Sequence, residues 1–280
     1  MLAQSTAGLF AKREEILYTW MSMVEKMAGL KALEDVRVVL IESKFSGNIG
    51  MVARVMKNLG FFDLRLVRPR AELNKEAYAL AAHATEVIDQ AQIYDDLVPA
   101  IADCGLVIGT SRRYGSRRKN LISIEDLPEI IRPCLGRNQL AVVFGSEDAG
   151  IKSGDAGHCH WMAGIRPGTE YDSMSISHAA AIVLWEINRL AREPLAKARE
   201  LAEASELENM FAELAEVLSE IDFIEPGDPR GMMPSFRALF GRAMLTPREA
   251  SMLRGVWSKT RKSIRHAPRV VKSRRKGEEL

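Results

Sequence analysis

Val36-Arg37-Val38-Val39-Leu40-Ile41, four residues ahead of Ser46-Gly47-Asn48-Ile49-Gly50-Met51-Val52-Ala53-Arg54, sets the fold class. The first run is short, apolar and β-branched. The second is a glycine-bracketed loop that passes into a helical pattern at Met51, Val52, Val55, Met56 and Leu59. Asn48 then stands at the mouth of a helix, and Arg54 about two turns inside it. A helix mouth presents unpaired N–H groups and the positive end of a dipole, which suits polar or anionic ligands. Taken alone, the stretch also reads as an ordinary strand–helix turn with Asn48 as N-cap and Arg54 solvated.

Outward from it the alternation repeats. A helix over Asn48–Leu59 leads to a strand at Asp63–Val67, a helix at Asn74–His83 and a short strand near Glu86–Ile88. A helix at Asp95–Asp103 precedes a strand at Gly105–Ile108. Helical spacing around Ile124–Leu135 precedes a strand at Leu140–Phe144 and a weaker one at Trp161–Ala163. A long helix is expected from Ile176 to about Leu207. Apolar strands alternating with helices predict an α/β domain over residues 36–195, built on a parallel, doubly covered sheet. Residues 1–35 read as an N-terminal extension with one helix over 8–30, where Leu9, Ile16, Leu17, Trp20, Val24 and Met27 fall at helical spacing for packing or dimer contact. Residues 196–280 read as helical, broken at Pro226–Gly231. The last helix opens at Thr246-Pro247-Arg248-Glu249, a capping box with proline at the first helical position. Met252, Leu253 and Trp257 give it an apolar stripe.

Net charge is only +2, but from Ser235 onward thirteen Lys/Arg face three Glu, a local +10 that leaves −8 on the rest. A basic end on an acidic body suits a polyanion, with nucleic acid favoured over membrane. A solubilising tail is the plain alternative for 268–280. No apolar run is long enough for a transmembrane helix. Residues 1–35 lack a signal-peptide layout and carry Glu14, Glu15 and Glu25. Three scattered cysteines, Cys104, Cys134 and Cys159, suit a reducing compartment, so a cytoplasmic protein is expected.

Strand ends are where ligands sit in open α/β sheets. Here they run into Gly109-Thr110-Ser111-Arg112-Arg113-Tyr114, Gly145-Ser146-Glu147-Asp148-Ala149-Gly150 and Gly164-Ile165-Arg166-Pro167, the last followed by Tyr171-Asp172-Ser173-Met174-Ser175. Gly145–Gly150 with Lys152-Ser153 nearly spells a phosphate-binding loop, but the lysine is one residue late and two acids would face the phosphates. A dinucleotide fold is set aside because the first strand lacks its Gly-x-Gly-x-x-Gly turn. His158-Cys159-His160 diverge along a strand with no second ligand pair, so no metal is expected. His178 reads as a packing or dimer contact and His83 as helix surface.

The segments SGNIGMVARVMKNLGF (46–61), VVFGSEDAGI (142–151) and YDSMSISHAAAIVLWEINR (171–189) resemble, in order, the three motifs of the SpoU/TrmH branch of the SPOUT RNA 2′-O-methyltransferases. Their spacing, with FRALFGRAMLTPREASMLRGVW (236–257), is similar to the TrmJ-like group, and the resemblance spans about residues 36–265. It implies a parallel α/β sheet with a C-terminal trefoil knot, a homodimer, and S-adenosyl-L-methionine bound in the knot. The cofactor residues implied are Thr110, Ser111, Arg112, Gly145, Ile165, Asp172, Ser173 and Met174. Glycine at 145 would permit close approach, and Ile165 with Met174 could sandwich an adenine.

The reaction implied moves a methyl group to a ribose 2′-hydroxyl, a poor nucleophile that must share its proton and be held in line. The family assigns activation to Arg54, helped by Asn48, Glu147 and Ser173. A guanidinium stays protonated, so an electrostatic role toward the developing alkoxide and the adjoining phosphate is easier than that of general base. The third motif departs from the family's Ser-Leu-Asn: here it is Ser173-Met174-Ser175, which loses an amide. The proline near Ile165 is also one place late, at Pro167. The basic loop of Arg112, Arg113, Arg117, Arg118 and Lys119 around Tyr114 suits phosphate contact plus base stacking, as do Arg254, Lys259 and Arg261 for phosphates. The implied substrate is the pyrimidine at tRNA nucleotide thirty-two. A ribosomal RNA target and a catalytically weak RNA-binding relative are the alternatives.

Overall fold

The computed structural model describes residues 29–111, 120–166, 168, 174–193, 198–224 and 232–266. The helix expected over residues 8–30 lies outside them except for its end, where a helical turn at 29–31 meets a 3-10 turn at Ala32–Asp35. Seven strands follow: β1 (Val36–Ile41), β2 (Asp63–Val67), β3 (Gln92–Tyr94), β4 (Cys104–Ser111), β5 (Leu121–Ser123), β6 (Gln139–Phe144) and β7 (Trp161–Gly164). Among them lie α1 (Ser46–Leu59), α2 (Lys75–Ala81), α3 (Thr85–Asp89), α4 (Leu97–Ala100), α5 (Leu127–Ile131), α6 (Ser153–Ala156) and α7 (Ile176–Ala191). The C-terminal unit comprises α8 (Ala204–Glu220), α9 (Met233–Ala243) and α10 (Pro247–His266).

The sheet runs β3-β2-β1-β6-β4-β7-β5, every neighbouring pair parallel. Alternate residues of β1 serve opposite faces: Val36, Val38 and Leu40 join one core, Val39 and Ile41 the other. Both faces are covered, which is why these strands read as continuous apolar runs. A third, smaller core of Ala202, Leu207, Met210, Phe211 and Ala250 holds α8 against α10.

Four local expectations are corrected. Glu86–Ile88 is not a strand: it lies within α3, and the edge strand pairs with β2 from Gln92 instead. Val87 and Ile88 are both buried there, a run too short for apolar content to tell helix from strand. The long helix ends at Ala191, because Pro194 cannot continue it, and α8 starts afresh at a Glu203–Glu206 capping box. Asn48 is not the N-cap: α1 begins two residues earlier behind Phe45. Met252 is 63% exposed and leaves the stripe, whose packed positions are Ala250, Leu253 and Trp257. The Thr246–Glu249 capping box is formed in both directions, Thr246 N to Glu249 Oε2 at 2.8 Å and Glu249 N to Thr246 Oγ1 at 3.3 Å.

Candidate functional site

Sheet order decides which loops meet. Because β1 lies beside β6, with Leu40 opposite Phe144, the chain leaving β1 and the chain leaving β6 emerge together. There Glu147 bridges them: Oε1 accepts from Asn48 Nδ2 at 2.8 Å and Oε2 from the Lys44 N–H at 3.1 Å. One carboxylate thus sets both the orientation of the Asn48 amide and the path of the loop before α1. The next acid, Asp148, pairs with the Lys44 ammonium and accepts from Ser146 Oγ at 3.0 Å. Those hydrogen bonds, Lys44 first, hold the Asp148 carboxyl well below the ordinary carboxylate range.

The rest of the β1 exit is equally tied. The Ser43 carbonyl accepts from the Arg70 and Ala71 N–H groups at 3.0 and 2.9 Å, and Ser46 Oγ donates to Glu76 on α2 at 2.7 Å. Buried Glu42 has left-handed backbone (φ 51°) and gathers Lys152 and Arg70. The Lys152 hydrogen bond leads in lowering its carboxyl pKa, against the opposing effect of burial.

Gly145 is required by the loop's own fold. A Cβ there would stand 2.0 Å from the Gly150 carbonyl carbon, where the chain turns back with Gly150 at φ 66° and its N–H on the Ser146 carbonyl at 2.8 Å. The close approach the sequence suggested at this glycine is made by the protein itself.

The other strand ends share the edge. Gly109 lies opposite Val143, Thr110 opposite Ala163 and Ser111 opposite Gly164. The Thr110 hydroxyl donates to the Val143 carbonyl at 3.1 Å, and Ile165 packs half-buried on the main core. Met174 is also half-buried. Arg112, Arg113, Tyr114, Arg117, Arg118, Lys119, Asp172 and Ser173 lie outside the described residues. Ser175, the departure from the family motif, is the N-cap of α7: Oγ accepts the His178 N–H at 3.3 Å and meets His178 Nδ1 at 2.7 Å. Serine and asparagine cap helices about equally well, so that function survives the exchange.

Arg54 does not join Asn48 and Glu147. Six residues on from Asn48, it lies about 120° round α1 and about 9 Å along the axis. It is exposed, with no hydrogen bond or ion pair to a described residue. That side of α1 borders a groove of about 380 Å³ in which Val55 and Leu59 face Ala181, Ile182 and Trp185 of α7. Trp185 is 50% exposed.

The C-terminal cations divide into two groups. Arg254 pairs with Glu213 at 2.7 Å, Arg261 with Glu216 and with Glu220 at 3.2 Å, and Arg265 with Glu220 at 3.0 Å, all across to α8. Arg248, Lys259 and Lys262 are exposed and unpaired among the described residues.

The two histidines beside Cys159 are each engaged separately. His158 Nδ1 meets Glu208 at 2.8 Å, and buried His160 accepts the Val107 N–H on Nδ1 at 2.9 Å. Burial, opposed by the charge of Glu208, lowers His160 to about 4. Burial would raise Glu208, but hydrogen bonds from His158 and Arg237 outweigh it and hold it at about 2. His83 is surface, as expected.

Sequence reasoning missed Lys44, Asp148 and Glu42. Their charge clustering at two loops was visible, but nothing local said the loops touch.

Residues 35–185 match the model of the SpoU rRNA methylase family, and residues 205–269 that of the C-terminal domain of the tRNA methyltransferase TrmJ. The tRNA (cytidine/uridine-2′-O-)-methyltransferase TrmJ of Photorhabdus laumondii is 34% identical over 82% of this chain and 98% of its own. The tRNA (cytidine/uridine/adenosine-2′-O-)-methyltransferase TrmJ of Pseudomonas aeruginosa is 32% identical over 83% and 96%. Among solved structures, TrmJ from Z. mobilis superposes with a TM-score of 0.70 at 28% identity, covering 80% of this chain and 98% of that one.

Proposed function

The chain belongs to the SpoU methylase family, in its TrmJ-like branch, and from that premise we propose that it methylates a ribose 2′-hydroxyl of tRNA, at the pyrimidine of nucleotide thirty-two. The observation that carries the reading is the Asn48–Glu147–Lys44 junction, at the sheet edge where Thr110, Ser111, Gly145 and Ile165 also end. Half-buried, apolar Ile165 beside these strand ends suits a purine. The residues present therefore fit S-adenosylmethionine, and Arg112, Asp172, Ser173 and Met174 complete the proposed set. When bound there, the cofactor supplies an electrophilic methyl group.

The chain's own contribution is orientation and charge. Glu147 fixes the Asn48 amide, leaving it preset toward the ribose instead of searching rotamers. Arg54 keeps its proton and stabilises the developing alkoxide, a role in which its fixed positive charge is an advantage. Since Arg54 faces away from Asn48 within one chain, the reading includes a homodimer closing over the α1–α7 groove. It also includes the trefoil knot that the family implies, and a cytoplasmic location. Domain boundaries are taken at 1–35, 36–195 and 196–280, the last holding tRNA through Arg254, Lys259 and Arg261 and the loop 113–119 adding contacts near the site. No described helix is long and apolar enough to cross a membrane.

The test is transfer of labelled methyl to bulk tRNA and, separately, to ribosomal RNA. Label is expected on a tRNA ribose, and Arg54→Ala should lower kcat about 10²- to 10³-fold with cofactor affinity unchanged. Label on ribosomal RNA alone would keep the chemistry and overturn the substrate. Lost cofactor binding in the variant would put Arg54 in the wrong pocket.

A further inference from the structure

Every residue around Phe45 is spent on holding the loop between β1 and α1. Ser43 takes two backbone donors, Lys44 binds Glu147 through its N–H and Asp148 through its ammonium, Ser46 binds Glu76, and Asn48 binds Glu147. Phe45 contributes only its carbonyl, which accepts the Asn48 N–H at 3.1 Å; its ring takes no part, and the residue is 59% exposed. Leaving a phenyl ring in water forgoes stabilisation that burial would supply. A well-tethered loop with one exposed ring is a preformed flat surface, and its ordering cost is already met on folding.

What such a ring recognises follows from where it stands. It precedes Asn48 by three residues, at the rim of the junction where the proposed reaction places a ribose. Within a helical stem the base face is covered by its stacked neighbours, whereas an unpaired nucleotide exposes that face together with its sugar. Stacking on an aromatic side chain is tolerant of base identity and holds the attached sugar. The apolar rim continues to Leu80, which is 38% exposed and whose Cδ1 lies 2.8 Å from where a Gly47 Cβ would be. A side chain at 47 would force Leu80 off this rim.

We infer that Phe45 is a stacking platform for the base of the nucleotide whose ribose is methylated. It is a substrate-positioning residue at a subsite of its own, and the inference rests on the function proposed above. The ring clamps the base while Asn48 and Arg54 act on the sugar, so loss of the ring lowers productive binding of RNA and leaves the cofactor site alone.

The experiment is steady-state methyl transfer to tRNA by full-length protein carrying Phe45→Ala, Phe45→Leu or Phe45→Trp, with cofactor affinity and sedimentation mass measured alongside. Phe45→Ala should lower kcat/KM for tRNA about 5- to 100-fold, the range expected for one lost base stack. Phe45→Leu should stay low, since it keeps apolar area without a π-face, and Phe45→Trp should recover. Unchanged kcat/KM in the alanine variant, or full recovery with leucine, overturns the inference and leaves the proposed function standing. A fall in sedimentation mass would assign the ring to contact between copies of the chain and overturn it too. If the unsubstituted protein transfers no methyl to any RNA, the functional reading fails and the platform with it.

Discussion

The sheet-edge junction and the α8–α10 pair are both rich in charge, yet they are built on opposite principles. At the junction, charged groups hold backbone: Glu147 takes the Lys44 N–H together with the Asn48 amide, on loops leaving two adjacent central strands. Across the seam between α10 and α8, charged groups hold only each other. Arg254, Arg261 and Arg265 reach surface glutamates of α8, half-buried Glu213 among them, over a core of five buried residues. The first arrangement fixes geometry, which in-line transfer needs. The second stores positive charge on a surface, which a phosphate backbone can take over from the glutamates.

The largest effect that could break this contrast concerns Glu147. Replacing it by alanine should lower kcat about 10²-fold through misplacement of Asn48. The Asn48→Ala, Glu147→Ala double variant should be little worse than either single one, because the two act as a unit. Additive losses would mean that Asn48 and Glu147 work separately. The matching cycle for Arg254 and Glu213, read as unfolding free energy, should give only about 0.2–1 kcal/mol.

Next is acid. His160 is lowered to about 4 by burial, against an ordinary 6.5, so the unfolded chain takes the proton first. Stability is fully present above about pH 6.5 and falls as pH drops toward 4. Between pH 7.5 and 5 the loss should be about 2 kcal/mol in urea unfolding. Glu208, held at about 2, adds its loss only below about pH 4.5. Because Gly241 of α9 packs on His160, the C-terminal unit should loosen first, seen as earlier proteolysis there. A profile flat from pH 7.5 to 5 would remove His160 from this account.

The smallest effect sharpens the contrast from the other side. Arg248, Lys259 and Lys262 changed together to alanine should weaken tRNA binding and reduce the slope of log affinity against log salt by about 2. Glu213, Glu216 and Glu220 changed to glutamine should do the reverse, tightening binding by releasing the paired arginines. Unaltered affinity in both sets at moderate salt would mean that α10 does not meet RNA.

Much of this was legible from local pattern. Central strands such as β1 and β6 were plain as apolar runs, and Thr246–Glu249 announced its own helix, because a capping box involves only neighbours. The edge strand at Gln92–Tyr94 was missed because its residues are exposed or half-exposed and carry no apolar signature. β5, three half-buried residues long, was missed for the same reason. Asn48, Glu147 and Ser175 were named from the motifs that carry them. Lys44, Asp148 and Glu42 were not, because an ion pair between distant loops leaves no periodicity.

By itself, then, the sequence determined the α/β class, the order of the motifs and the basic character of the C-terminal helices, all of which depend on residues a few places apart. Tertiary structure alone decided that Asn48 meets Glu147 across 99 residues, that Arg54 points away from both, and that three of the four arginines of α10 are already paired. The physical reason is strand order. Placing β1 beside β6 brings two loop exits into hydrogen-bonding range, and that adjacency is a free-energy choice of the whole sheet, written in no single stretch of the chain.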